Sequence, residues 1–139
     1  NEKQHAAAHV KAMKMLSRLD ENYIHEQLRL FLKENLAEGE QIDLLLVGEN
    51  GDNRLLKYCA AAENCVGNHT TIARFKHMFG EFQTVSALVL WFCCQIFETG
   101  KLPVHAVKKA GTNTTFNRIL IYNNYQVAQH GIWLVEKVV

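Results

Sequence analysis

The sequence predicts an α/β domain in which a mixed sheet of about five strands carries helices on both faces. Residues 24–36 show helical periodicity and are followed by an apolar run, 42–47, with the length of a strand buried on both faces. A long apolar helix is expected at 85–97, and two strand-like segments, 117–122 and 131–138, close the chain. A helix followed by a buried strand is the usual order in α/β layer proteins.

The amino-terminal part is expected to be helical. Residues 5–19 are rich in Ala, Lys, Met and Leu, which favour helix, and the polar turn at 20–22 should end this segment. The second helix, 24–36, has apolar residues at helical spacing and charged residues on its other side. Gly39 should follow its end, because glycine readily adopts the left-handed conformation found there.

The middle of the chain alternates strands and helices. The strand at 42–47 ends in a Gly/Asn/Asp-rich loop, 48–53, and residues 53–63 resume helical character. The β-branched residues of 70–75 predict a short strand.

The predicted helix at 85–97 is apolar on almost every side, with Ser86 and Gln95 as its plainly polar residues. It is too short for a membrane span, which needs about 20 consecutive apolar residues. It also lacks the polar face of a helix that lies on a membrane surface. We therefore expect another domain or a second subunit to cover it.

The amino-acid composition narrows the classes of protein to which this chain can belong. The chain has 139 residues, of which 48% are apolar and 21% charged, and its net charge is +1. These values predict one globular domain, 1–139, with a helical lead-in at 1–22 and a core at 23–138. The near-neutral balance, without a Lys/Arg cluster, argues against nucleic-acid binding.

Neither the cysteines nor the histidines have the spacing of a metal site, and we expect no metal and no cofactor. The cysteines are Cys59, Cys65, Cys93 and Cys94. Their spacing predicts free thiols in a reducing compartment, which favours the cytoplasm, and the chain starts without a signal-peptide pattern. His5 and His9 share a helical face but lack the glutamate of a zinc-binding motif.

Two segments are candidate sites from their residues alone. The loop at 48–52 follows a predicted central strand, where open α/β sheets place ligands, although an ordinary strand-to-helix turn also explains its residues. Its carboxylates, Glu49 and Asp52, would repel a phosphate. Lys76 and Glu81 flank a turn into the apolar helix, so they are either partly desolvated or a simple surface pair.

In the order of its predicted elements, the chain resembles the carboxyl-terminal half of a β-ketoacyl-[acyl carrier protein] synthase over residues 23–138. This half is a thiolase-like half-fold. Segment 41–47 is similar to the strand that leads into a His-Gly-Thr loop, and the place of that histidine falls near Gly48 or Glu49. Segment 76–81 resembles Lys-Ser-x-x-Gly-His. Lys76 matches its lysine, and Glu81 replaces its histidine.

The last loop carries the third part of the resemblance. Segment 122–130 lies where the family has Asn-Ser-Phe-Gly-Phe-Gly-Gly-Thr-Asn, and Tyr125 matches the gating aromatic residue. The family's glycines are replaced there by Gln126, Ala128 and Gln129, which removes backbone freedom needed for a close approach to substrate.

The resemblance implies site residues and a partner. Lys76 and Glu81 would be residual catalytic positions. The substrate-binding positions would be Gly48, Glu49, Asn50 and Tyr125. The implied partner is an acyl carrier protein, and a second copy of the chain or an amino-terminal ketosynthase half would cover helix 85–97, with neither nucleic acid nor membrane as a partner.

The family implies an acyltransferase, a 3-oxoacyl-carrier-protein synthase, of fatty acid or polyketide biosynthesis, including aryl-polyene pathways. We expect this chain by itself to be inactive, because the half with the cysteine nucleophile and both site histidines are absent from it. An ionised Glu81 cannot donate a hydrogen bond to a developing oxyanion. The alternatives are a noncatalytic carrier-protein-binding or dimerisation module, like a chain-length factor, and an unrelated α/β domain.

Overall fold

The fold is taken from a computed structural model, which describes residues 7–17, 20–49, 51, 53–54, 56–76, 85–125 and 129–138. In chain order its elements are β1 (Ala8–Leu16), α1 (Glu21–Asn35), β2 (Leu44–Val47), α2 (Leu56–Glu63), β3 (Thr71–Arg74), α3 (Val85–Thr99), a 3-10 turn (Val104–Ala106), β4 (Val107–Lys109), β5 (Arg118–Tyr125) and β6 (Gln129–Lys137). Within this part of the chain, no helix is long and apolar enough to cross a membrane.

The strands form one mixed sheet in the order β1-β6-β5-β2-β3-β4. β2 is parallel to both β3 and β5, whereas β1–β6, β5–β6 and β3–β4 are antiparallel. The sheet therefore has six strands among the described residues, one more than the sequence predicts. The parallel centre has antiparallel strands on either side, so the predicted α/β class with a mixed sheet is confirmed.

Helices cover both faces of the sheet, as predicted. On one face, α1 and α2 pack on β2, β5 and β6 through residues such as Leu28, Tyr58 and Leu134. On the other face, α3 packs across the sheet, from the central strands to β6 and Ala8 of β1, through Phe92, Ile96 and their neighbours. β2 is buried along its whole length, because its alternate side chains enter these two cores.

Helix α1 follows the sequence prediction closely. Asp20 caps it by accepting a 2.9 Å hydrogen bond from the backbone N–H of Asn22, which satisfies one of the unpaired donors of the first turn. Its buried residues are Ile24, Leu28 and Phe31, the apolar face that the periodicity indicates. Gly39 has a φ of 84°, so it adopts the predicted left-handed conformation, in the turn that follows the helix.

The prediction of a helix over residues 5–19 is wrong for the residues that the structure describes, because Ala8–Leu16 forms strand β1. Helix propensity is a weak preference, and here pairing with β6 along the whole strand overrides it. β1 gains a ladder of backbone hydrogen bonds and buries Leu16, which a solvated helix would not do. The sequence also does not predict the short edge strand β4.

Candidate functional site

The carboxyl ends of the parallel strands β2, β3 and β5 lie at one edge of the sheet. Gly48 follows β2 directly, and Lys76 comes two residues after β3. Asn123 and Asn124 are the residues just before the last residue of β5. Open α/β sheets bind ligands at this edge, because the loops and side chains of several strands meet there. We call these four residues the carboxyl-edge cluster.

Lys76 is the buried cation of the carboxyl-edge cluster. Its side chain is drawn inward, so that the residue is only 3% exposed. The ammonium Nζ donates a 2.6 Å hydrogen bond to the backbone carbonyl of Asn124. This bond ties the end of β3 to the end of β5 across β2, and it holds a positive charge among buried polar groups.

Gly48 allows the close approach in this cluster. Its backbone N–H donates to the carbonyl of Tyr122 at 2.9 Å, which continues the β2–β5 ladder by one residue. A Cβ atom at this position would lie 2.5 Å from Asn123 Oδ1 and 3.0 Å from Lys76 Cε. A larger residue would therefore displace the amide or the lysine, so glycine is required by the packing here and not by its φ angle.

The two asparagines bring buried amide atoms to the same edge but on opposite faces of the sheet, because neighbouring residues of a strand alternate: Asn123 lies on the face of α3 and Asn124 on the face of α1 and α2. Asn124 is fully buried, and within the described part of the chain its Oδ1 and Nδ2 have no hydrogen-bond partner, nor does Asn123 Oδ1. Buried amide groups without partners cost free energy. Such atoms are suited to a polar ligand or to ordered water.

His130 lies opposite Asn124 in the β5–β6 ladder and is fully buried. Its Nδ1 is 2.7 Å from the hydroxyl oxygen of Tyr122, and its ring contacts Tyr58 edge-on, with 4.9 Å between the ring centroids. Burial, and next the neighbouring Cys59, raises the pKa of Tyr122, so this hydroxyl stays protonated. The imidazole is thereby fixed in one orientation beside the carboxyl-edge cluster.

Cys59, on α2, is a buried thiol near the same groups. Burial, followed by the charges of Glu49 and Glu63, raises its pKa to about 12. Nucleophilic cysteines need a lowered pKa, because the thiolate is the attacking species. Cys59 is therefore a packing residue of the core rather than a nucleophile.

Glu49 is engaged in an ion-pair group with Lys108 and Glu63. Lys108 Nζ lies 2.9 Å from Glu49 Oε2 and 2.7 Å from Glu63 Oε1, and so it joins the β2 loop to α2 and β4. Burial lowers the pKa of Lys108, but the hydrogen bonds to Glu63 and Glu49 outweigh it and raise this pKa overall. The carboxylate of Glu49 is thus directed to Lys108.

The structure brings together two of the residues that the sequence proposes for the site, Lys76 and Gly48. Glu49 lies next to them but pairs with Lys108. Asn50 and Glu81 are outside the described residues, and of Tyr125 only the backbone, at the end of β5, is described. The roles assigned to these residues stay predictions.

Sequence reasoning missed Asn123, Asn124 and His130. The interpretation of residues 123–130 as a connection hid the fact that β5 continues to Tyr125 and that β6 begins at Gln129. A usable signal was present: two asparagines directly extend an apolar strand, and a histidine falls at the mirrored position of the next strand. Polar residues that continue a buried strand are unusual, and they indicate a site at the strand end.

A concave region lies at the opposite, amino-terminal edge of the sheet. It is a cleft of about 460 Å³ whose lining includes Leu36, Ile42 and His69. His69 Nε2 lies 2.8 Å from Asp43 Oδ1, while Asp43 Oδ2 accepts the backbone N–H groups of Asn117 and Arg118. Asp43 thus fixes the start of β5 and links it to His69, so its hydrogen bonds stabilise the sheet at this edge. Over the residues that are described, no group of three or more His, Cys, Asp or Glu could hold a metal ion.

Comparison with known proteins finds similar folds among solved structures. No protein-family model matches the chain, and no curated protein matches it either. Among solved structures, it is similar to a chain of a complex of a type II polyketide synthase acyl-carrier protein with its ketosynthase bound to the hexaketide. The TM-score is 0.57 at 11% identity, over 94% of this chain and 33% of that one. The fold is thiolase-like.

A second similar structure is the 3-oxoacyl-[acyl-carrier-protein] synthase III from Aquifex aeolicus VF5. Its TM-score is 0.55 at 9% identity, and the match covers 96% of this chain and 46% of that one. The chain therefore spans between a third and a half of the length of these structures. At identities this low the likeness shows the fold alone, and the thiolase-like fold predicted from the sequence is confirmed.

Proposed function

We propose that this chain is a ketosynthase-like domain of fatty acid or polyketide assembly, corresponding to the carboxyl-terminal half of such a protein. It binds an acyl group presented by an acyl carrier protein at the carboxyl-edge cluster, and it does not condense acyl groups by itself. One observation carries this proposal: buried Lys76 contacts Asn124 beside Gly48, at the strand edge where sheets of this kind bind ligands.

The chemistry of the cluster suits an acyl carbonyl. The ammonium of Lys76 is a hydrogen-bond donor, whereas a thioester or ketone oxygen is an acceptor. Donors in a buried site act more strongly than in water, because the local dielectric constant is low. The cluster can therefore hold a carbonyl oxygen without any covalent step.

The thiols support the absence of condensation activity. Condensation by a cysteine enzyme needs a thiolate, but burial raises the pKa of Cys59 to about 12 and also raises that of Cys93. The buried imidazole of His130 is bound to Tyr122. The same features favour the second candidate, a noncatalytic carrier-protein-binding module that shapes an acyl pocket for a partner.

The test is incubation of the chain with malonyl and acyl carrier proteins. We expect saturable binding, measured by fluorescence anisotropy of a labelled carrier protein, and no condensation product by mass spectrometry. Lys76→Met should weaken binding of the acylated carrier protein about tenfold, since a charge-assisted hydrogen bond is lost. Lys101→Met, which changes an exposed lysine, is the matched control and should leave binding unchanged.

Two results would contradict the proposal. Product formed by this chain alone would show that it is catalytic. An affinity that Lys76→Met leaves unaltered would show that acyl groups do not use the carboxyl-edge cluster. Asn124→Ala offers a second variant in case Lys76→Met does not fold, which circular dichroism would reveal.

A further inference from the structure

The cleft at the amino-terminal edge of the sheet has the size of a small-molecule site. Its volume of about 460 Å³ lies within the roughly 300–1,000 Å³ of ligand pockets. It opens between the end of α1 and the turn that joins α2 to β3, and we call it the amino-edge cleft. The carboxyl-edge cluster lies at the other end of the parallel strands, so the two regions are separate.

Apolar side chains form much of the amino-edge cleft. Leu32, Leu36 and Val66 pack against the core beneath α1 and α2 but are only partly buried, and buried Ile42 completes the apolar lining. These side chains leave apolar surface in contact with water. Covering such surface is favourable, so the cleft suits the hydrocarbon part of a ligand.

His69 supplies a fixed polar group to the cleft. Its side chain is about one-third exposed, and its Nε2 lies 2.8 Å from Asp43 Oδ1. Asp43 Oδ2 accepts the backbone N–H groups of Asn117 and Arg118. An ionised carboxylate can only accept, so the proton of the neutral imidazole lies on Nε2. Nδ1 is therefore an acceptor, and it is the ring nitrogen that remains for a ligand.

Two further groups of the lining also offer acceptors. The hydroxyl of Thr70, a residue only 3% exposed, donates its hydrogen to the Ile42 carbonyl at 2.6 Å, so its oxygen can only accept from a ligand. At the end of α1, the backbone N–H of Ala37 binds Glu40 Oε1 at 2.7 Å and not the carbonyl of Lys33. The last carbonyls of a helix carry the negative end of its dipole.

The charges around the cleft favour a cation over an anion. Glu38 and Glu40 belong to the lining, and the carboxylate of Asp43 lies behind His69. Arg118 pairs with Glu40 and so offsets one of these charges. Lys33 is the lysine of the lining, and its exposed side chain can extend into water. The carboxylates and the helix end together leave a negative environment, which attracts a positive group.

We propose that the amino-edge cleft binds a small apolar ammonium ion, that is, the protonated form of an alkyl or aryl amine. The hydrocarbon part lies on Leu32, Leu36 and Val66, and the ammonium donates hydrogen bonds to His69 Nδ1 and the neighbouring acceptors. An ammonium group has three donors and no acceptor, so it matches a lining of acceptors. A carboxylate on the same hydrocarbon chain has only acceptors and is rejected.

The experiment titrates the chain near neutral pH with hexylamine, hexanol and hexanoate, followed by proton–nitrogen NMR spectra. We expect saturable binding of hexylamine, with the largest shifts at residues 36–42 and 65–70, and weaker binding of the alcohol and the acid. His69→Phe keeps a ring but removes the acceptor, and it should weaken hexylamine binding about tenfold. His9→Phe is the matched control, because His9 is exposed on β1 and is not part of the lining.

Gly67→Trp keeps the proposal testable if His69→Phe does not fold, which circular dichroism would reveal. Gly67 belongs to the lining, and a Cβ atom there would meet no described atom within 4 Å, so the indole can occupy the cleft and weaken hexylamine binding. Asn64→Trp, at an exposed position outside the lining, should leave it unchanged.

Three results would overturn the proposal. They are the absence of saturable hexylamine binding, hexanol or hexanoate that binds as tightly as hexylamine, and an affinity that neither His69→Phe nor Gly67→Trp lowers. Carrier-protein binding at the carboxyl-edge cluster does not enter this measurement, so the two proposals can fail independently.

Discussion

Glu40 connects three segments at the amino-terminal edge of the sheet. Its Oε1 accepts the backbone N–H of Ala37 at 2.7 Å and lies 3.9 Å from Lys11 Nζ of β1. Its Oε2 pairs with Arg118 of β5, which also binds Glu136 of β6 at 3.1 Å. The backbone hydrogen bond from Ala37, with the charges of Arg118 and Lys11, holds the pKa of Glu40 below its usual value, against the effect of desolvation.

We expect Glu40→Gln to lower the free energy of unfolding at neutral pH. Because the folded-state pKa lies below the unfolded value of 4.5, ionised Glu40 stabilises the fold fully above that pH. This contribution is lost as the pH falls through the folded-state pKa. The difference in the free energy of unfolding between the variant and the original chain should therefore disappear at acidic pH. Urea unfolding at a series of pH values measures it.

Glu38→Gln, at an exposed neighbouring position, is the control and should show a small, constant difference. A Glu40→Gln difference that persists unchanged at low pH would show that the ionised form of this carboxyl does not stabilise the fold.

Residue chemistry of this kind was only partly visible in the sequence. Lys76 and Gly48 were predicted as site residues, and the structure places them in contact distance. Asn124 and His130 were not predicted, because their closeness depends on the register of the β5–β6 hairpin. A position in a strand ladder is set by pairing, which no local pattern in this chain determines.

Among the elements, α1 and β1 show opposite relations between local sequence and structure. α1 has a polar cap, an apolar face and a glycine after its end, and each local preference agrees with the fold. β1 has helix-favouring residues, yet it pairs with β6 from Ala8 to Leu16. Local patterns predicted the first element correctly, and nonlocal pairing decided the second.

The apolar face of α1 should carry most of its contribution to stability. Leu28 is fully buried against the sheet, so Leu28→Ala should cost about 2–5 kcal/mol through lost burial and the cavity left behind. Glu34→Ala, at an exposed position of the same helix, should change stability by no more than about 0.5 kcal/mol. Urea denaturation of both variants checks the prediction. Equal effects of the two would show that α1 does not pack through Leu28.

Over the whole molecule, the four cysteines are free and lie at different depths of the core. Burial raises the pKa of all four thiols, to about 12 for Cys59 and about 11 for Cys65. Cys59 and Cys93 are the buried pair and react only when the fold opens, so these two report on the stability of the core, whereas Cys65 and Cys94 are partly exposed.

We expect alkylation of the native chain by iodoacetamide near pH 8 to be slow at Cys59 and Cys93, and fastest at half-buried Cys94. A pKa of about 12 in place of 9.0 lowers the thiolate fraction of Cys59 roughly a thousandfold. In concentrated guanidinium all four should react at similar rates. Mass spectrometry of the labelled peptides gives each rate, and rapid native labelling of Cys59 would contradict the burial described above.

The sequence by itself determined the α/β class, helices α1, α2 and α3, and strands β2, β3, β5 and β6, because periodicity, glycines and apolar runs are local properties of the chain. It also indicated that the helix at 85–97 has more apolar surface than one sheet face needs. Only the tertiary structure decided that Ala8–Leu16 is an edge strand, that Asn124 and His130 join Lys76 at one strand edge, and that Trp91 faces outward. The physical reason is that strand pairing and burial join residues far apart in the chain, and their free energy exceeds the small local preferences.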